Sequence, residues 1–150
     1  MSTIAYNYFA YKSARGEVPL HSADIRVALV MTNTTCGTEN DGITSLADFT
    51  TLDEFDGANY ARKPLNNQTV TLDDANDRAV FDADDVEWTE LGVGTRPVQG
   101  ALFYVYGATD DLCIPVCFLE YSTPRIPDGS DFTAAWPAVG PLVLNAGAAA

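Results

Sequence analysis

Between residues 59 and 144 the chain is cut at short intervals by turn-forming clusters, and this punctuation restricts the fold more than any other feature. The clusters are Asn66-Asn67, Asp73 to Asp77, Gly92 to Pro97, Gly107 to Asp111 and Pro124 to Gly129. Gly, Pro, Asn and Asp reverse a chain at low conformational cost. The runs between them are too short for ordinary helices and rich in Val, Thr, Tyr and Phe, residues that suit a pleated, half-buried surface. Strands are therefore expected over Asn59–Leu65, Thr69–Leu72, Arg78–Asp82, Asp85–Leu91, Val98–Tyr106, Leu112–Tyr121, Asp131–Trp136 and Leu142–Leu144. Upstream, Ile25 to Met31 is a further strand, with Ile25, Val27, Leu29 and Met31 on one face. Ala101 to Tyr106 is apolar on both faces and reads as central in a sheet. One segment changes period. Leu46, Phe49, Leu52 and Phe55 recur every three residues behind Ser45 and ahead of Gly57, which predicts a short helix with Asp48 closing a capping box. The expected fold class is all-β, a jelly-roll-like β-sandwich with one short helix.

A chain of 150 residues suits a single domain. We expect a first strand or arm over residues 1–24, the sandwich over 25–145, and a frayed, flexible tail over 146–150. The Tyr-rich start, Thr3 to Tyr11, is the part expected to lie against a neighbour. No signal-peptide pattern and no membrane-length apolar run is visible. The expectation is a protein made in the cytoplasm and soluble afterwards.

The formal net charge is −13, and it is unevenly placed. Residues 1–35 hold three basic side chains against two acidic ones, whereas residues 36–95 hold three against 14. So acidic a surface repels phosphate backbones, which argues against nucleic-acid binding.

The residue types that carry chemistry are not arranged for it. In Val80 to Leu91, VFDADDVEWTEL, five carboxylates alternate with apolar residues. This fits a half-buried strand with solvated acids, with a bulge at Asp84-Asp85 that would bring Phe81, Ala83, Val86 and Trp88 to one core face. A calcium site is the functional alternative, but the spaced Asp-x-Asp-x-Asp-Gly run is missing. A glycosidase-type carboxylate pair is weaker still, because 21 acids offer many such pairs. His21 is the single histidine and lies in a turn, with no nucleophile elbow in the sequence. Cys113 and Cys117 are four strand steps apart, about 13 Å, too far for a disulfide or a shared zinc unless Pro115 bends the chain. With Cys36 the count is odd, which points to free thiols. Trp136 is either a sugar-stacking platform or a core residue. No catalytic residue, cofactor or metal ligand is assigned.

Several pieces, taken in order, resemble a family of small tailed-bacteriophage virion proteins. They are Leu46 to Gly57, Tyr60-Ala61-Arg62 with Leu65, Asp73 to Asp77, and Phe81 to Trp88. Downstream come Gly100 to Tyr106, Asp110-Asp111 before Ile114 to Tyr121, Asp128-Gly129, and Trp136-Pro137 with Gly140 leading to Leu142-Val143-Leu144. The resemblance implies a capsid decoration, or cement, protein. Such a protein binds the outer surface of the major capsid shell and stabilises the expanded head by bridging capsomers. It implies the major capsid protein as partner, a homo-oligomer, the virion surface as location, and no enzymatic activity. The acidic balance suits an outer surface. The near-neutral, aromatic start supplies the expected contact, through Tyr6, Tyr8, Phe9 and Tyr11. A neck, tail or head-fibre protein is the alternative within the virion, and a carbohydrate-binding adhesion module is the alternative of another class.

Overall fold

Strand β2, Ile25–Met31, is buried along nearly its whole length because both of its faces meet apolar layers. Ile25, Val27, Leu29 and Met31 enter one core, and Ala28 and Val30 enter a second core on the opposite face. This computed structural model describes residues 1–146. The other elements are strand β1 (Ser2–Ala5), helix α1 (Asn7–Ala14), and strands β3 (Lys63–Pro64), β4 (Thr69–Asp73), β5 (Arg78–Asp82), β6 (Val86–Trp88), β7 (Val98–Val105), β8 (Ile114–Arg125), β9 (Phe132–Ala134) and β10 (Leu142–Asn145). All pairings are antiparallel.

The strands form a five-stranded sheet in the order β1-β8-β7-β2-β3, a three-stranded sheet β10-β5-β4 and a two-stranded ribbon β6-β9. The five-stranded sheet is the middle layer. One face carries Val27, Leu29, Phe103 and Leu119 and packs on Phe81, Val86, Trp88, Phe132 and Leu142 from the two smaller sheets. The other face carries Val30, Leu102, Tyr104 and Phe118 and is covered by Tyr6 and by Cys36, Ile43, Leu46 and Phe49 of the loop after β2. The fold is thus all-β and sandwich-like with one short helix. Gly100 in β7 allows the closest approach of the central strands, since a Cβ there would lie 2.2 Å from the Leu119 carbonyl oxygen.

The helix is not where the sequence pattern places it. Over 45–57 only Leu46–Asp48 form a single 3₁₀ turn. The capping box does form, with the Ser45 N–H donating to Asp48 Oδ2 at 3.0 Å. Beyond it Phe49 is extended, and Phe55 N donates to the Leu29 carbonyl at 2.9 Å, so the chain flanks β2 instead of coiling. The reason lies in the two cores. Leu46 and Phe49 fill one and Phe55 fills the other. No straight helix can feed both faces of a sheet.

The actual helix lies in the expected arm. β1 pairs with β8, Ile4 opposite Phe118, and Asn7–Ala14 then turn into α1. It ends in a Schellman arrangement: Gly16, at φ +74°, donates its N–H to the Ser13 carbonyl at 2.9 Å, and Glu17 donates to Lys12 at 3.0 Å. Of the two expectations for residues 1–24, the first strand is present as β1, and Tyr6, Phe9, Val18 and Leu20 of this segment are buried.

The acid-rich stretch Val80 to Leu91 is not one bulged strand. β5 ends at Asp82, and β6 begins at Val86 in a different sheet. Phe81, Val86 and Trp88 still reach the same core, with Ala83 beside them. Changing sheets does the work expected of the bulge. Cys113 closes a 3₁₀ turn and precedes β8. It sits in one core and Cys117 in the other. The tail expected over 146–150 lies outside the described residues except for Ala146, whose N–H donates to the Asp77 carbonyl at 2.9 Å.

Candidate binding surface

Of the four aromatic residues expected to meet a partner, two are enclosed. Tyr6 is buried, its hydroxyl donating to the Cys36 carbonyl at 2.8 Å and its ring edge-on to Phe49 at 5.5 Å. Burial pushes its phenol pKa far up. Phe9 is buried in the opposite core. Both hold the helix to the sheet and are lost to any external contact. Because α1 repeats every 3.6 residues, Tyr8 and Tyr11 come to its outer side.

These two form a small platform. Their rings stack at 6.1 Å and 25°, and Tyr11 is 53% exposed. Lys12 Nζ lies 5.5 Å from the centre of the Tyr8 ring, and the Arg15 guanidinium lies 5.3 Å from that of Tyr11. Glu17 accepts from both cations, at 2.9 Å each. Lys12 first and Arg15 second hold its carboxyl below the usual range. Beside the platform is a shallow, mainly apolar groove of about 270 Å³, lined by Asn7, Tyr8, Tyr11, Asn40, Ile43 and Thr44. Its floor is fixed from a distance in sequence. The Asn40 amide oxygen accepts from Asn7 N at 2.8 Å, capping α1, and the Asn40 amide nitrogen donates to the Ala5 carbonyl at 3.2 Å.

A larger open groove, about 580 Å³, adjoins it along Thr38, Glu39, Asp41, Asp48 and Thr50. Its carboxylates are engaged locally. Glu39 accepts from Thr35 and from the Thr50 amide and hydroxyl, and Asp48 accepts from Thr44 and Ser45. Hydrogen bonds from Thr50 and Thr44 respectively are the leading causes of their lowered pKa values. Held ionised, neither is suited to donate a proton as a general acid. Among the described residues no group of three or more His, Cys, Asp or Glu side chains is placed to hold a metal ion.

Elsewhere the candidates have structural partners. Trp136 is half-buried against the core, packing edge-on to Phe103 at 5.1 Å and donating to the Ala83 carbonyl at 2.8 Å. Trp88 donates likewise to Ala61 at 2.7 Å. His21 is exposed in a turn. Desolvation raises all three thiol pKa values, Cys36 to about 11, which keeps them protonated and poorly nucleophilic. Arg62 knits three segments together. It donates to both oxygens of Glu54, at 2.7 and 2.9 Å, and to Asp110 at 2.7 Å. The Tyr60 hydroxyl donates to the same Glu54 and accepts from Leu29 N.

No family model, curated protein or solved structure matches this chain. What it binds must therefore be argued from its own surface. The signal missed in the sequence was the spacing of Asn7 and Gly16 around an eight-residue helix. Read helically, that spacing separates Tyr6 and Phe9 from Tyr8 and Tyr11. Among the described residues, no helix is long and apolar enough to cross a membrane.

Proposed function

We propose that the protein is a decoration, or cement, protein of a tailed-phage capsid, binding the outside of the shell and bridging capsomers. The observation that carries the binding face is the Tyr8–Tyr11 platform with Lys12 and Arg15. It is a compact aromatic and cationic patch on a chain of net charge −13. Tyrosine and arginine are favoured at the centres of protein interfaces, where they combine apolar area with directed hydrogen bonds. The acidic remainder of the surface suits the outside of a DNA-filled head, where it neither binds nor traps nucleic acid. Binding the assembled shell more tightly than its free subunits stabilises the head by mass action. The assignment to phage rests on the ordered sequence resemblance; the platform and the charge support it.

Quantitative mass spectrometry of purified particles is the test of place. A copy number in simple ratio to the major capsid protein is expected. A handful of copies would move the protein to the neck, tail or fibre, and absence would overturn the reading. For the face, the pair Tyr8→Ala and Tyr11→Ala should weaken binding to undecorated shells at least about ten-fold, equivalent to about 1.4 kcal/mol. Unchanged binding would remove the platform from the interface. Deleting residues 1–12 is not an informative variant, because it strips Tyr6 and Phe9 from the two cores.

A further inference from the structure

Several margins of these sheets are blunted. β3 is two residues long and consists of Lys63 and Pro64. In the ribbon, Lys63 Nζ donates to the Glu87 carbonyl at 2.6 Å and Arg125 donates to the Thr133 carbonyl at 2.8 Å. Short edges, proline and long cations are ordinary protections against unwanted strand pairing. Strand β4 has none of them. Thr69–Asp73 pairs with β5 without a register break and, among the described residues, has no strand on its other side. It contains no proline, lysine or bulge, and Thr69, Val70, Thr71 and Leu72 are all exposed.

The sheet it borders is amphipathic, and its apolar face outruns the core. Val70, Phe81 and Leu142 lie in one row across β4, β5 and β10, with Phe81 and Leu142 buried. The next row on the same face is Leu72, Ala79 and Leu144. There Leu72 is 75% and Leu144 40% exposed, and Val70 is 42% exposed in the row before. Apolar area left in water at an unprotected edge marks an interaction site.

We propose that β4 is the seam of a symmetric dimer, in which two copies pair β4 antiparallel about a two-fold axis at Thr71 and create a continuous six-stranded sheet. This goes beyond the capsid reading and does not depend on it. The strand is self-complementary in that register. Val70 faces Leu72 of the second copy, which joins the two apolar faces, and Thr71 faces its equivalent. Asp73, the one charged side chain of β4, faces Thr69 of the second copy. The two Asp73 carboxylates are then four strand steps apart, about 13 Å, beyond the Debye length of about 8 Å at physiological salt. Each is also matched within its own copy, accepting from Arg78 at 2.7 Å and from Asn76 at 2.9 Å. The charge of each Asp73 is thus matched within its own copy, and Asp82, opposite Thr69, is the one further acid beside the seam. Any other extended segment would need its own apolar and polar alternation; a second copy already carries the matching one. Two-fold closure consumes both β4 edges and leaves β10 at each end of the six strands.

A seam of five residues a side buries less than the roughly 1,600 Å² of an ordinary stable interface, so association is expected at micromolar concentrations or above. Sedimentation equilibrium of the intact chain should show the mass rising two-fold with concentration. Added salt should strengthen the association, because it screens repulsion between two copies of net charge −13. Leu72→Lys should hold the mass at one chain. Under mild oxidation Thr71→Cys should crosslink to dimer, since opposed residues have Cα atoms about 4.5–5.5 Å apart, within disulfide reach. Ala75→Cys, in the hairpin turn away from the axis, should crosslink much more slowly. The three native thiols are buried and do not compete. The proposal is overturned if the chain stays monomeric to its solubility limit and Thr71→Cys crosslinks no faster than Ala75→Cys. It is equally overturned if a synthetic peptide of alternating Lys and Val binds β4 while the chain itself remains monomeric.

Discussion

The five-stranded sheet and the β10-β5-β4 sheet are built from similar residues and end in opposite situations. In the first, both faces of β2, β7 and β8 meet apolar layers, and the strands read as nearly unbroken apolar runs: IRVALVM, GALFYV, VCFL. In the second, apolar residues alternate with Thr, Asp and Arg, and only the end that carries Phe81 and Leu142 reaches the core. The difference is one of coverage. A loop and two small sheets sandwich the first, while the outer rows of the second have solvent on the apolar face. One sheet is enclosed on both faces, and the other leaves Val70, Leu72 and Leu144 in water.

That contrast can be broken most sharply in the middle layer. Phe118→Ala removes a wholly buried ring from the second core and should cost about 3–5 kcal/mol, read from the urea midpoint. Gly100→Ala should cost about 1–3 kcal/mol, because its methyl group would press on the Leu119 carbonyl and the Phe118 ring. If the chain tolerates it freely, β7 and β8 are less rigidly joined than this packing requires. Arg62→Ala should cost roughly 1–2 kcal/mol, since it leaves Glu54 without its two charge-assisted bonds in a partly exposed setting.

A pH titration sharpens the comparison at the loop that covers the second core. Glu39 and Asp48 have folded-state pKa values below their ordinary 4.5 and 3.8. Depressed carboxyl values contribute stability above the unfolded values, and it is lost as pH falls through the folded ones. Stability should therefore decline below about pH 4.5, and Asp48→Asn should flatten that decline as followed by thermal melts. The smallest effect belongs to the exposed sheet. Leu72→Lys should leave the Tm almost unchanged, within about 0.5 kcal/mol, while it alters association.

Strand existence was legible because turn clusters and β-branched runs are local signals. β2 and β5 have the expected bounds, and β7 and β10 differ by a single residue at one end. Asn59–Leu65 shrank to Lys63–Pro64, since Asn59, Tyr60 and Arg62 are committed to Glu90, Glu54 and Asp110 instead of to a neighbouring strand. The division of the aromatic start into buried and outward side chains was not legible. A strand reading could not separate the buried Tyr6 and Phe9 from the outward Tyr8 and Tyr11.

The sequence by itself determined the all-β class, the places where the chain turns and the acidic surface, because each depends on residues close together or on a simple sum. Tertiary structure decided the rest. Asn40 caps α1 from 33 residues away, the two cores pull the 46–55 segment out of helical form, and coverage selects which apolar face stays wet. Burial is a property of what arrives from elsewhere in the chain, and no local pattern encodes its arrival.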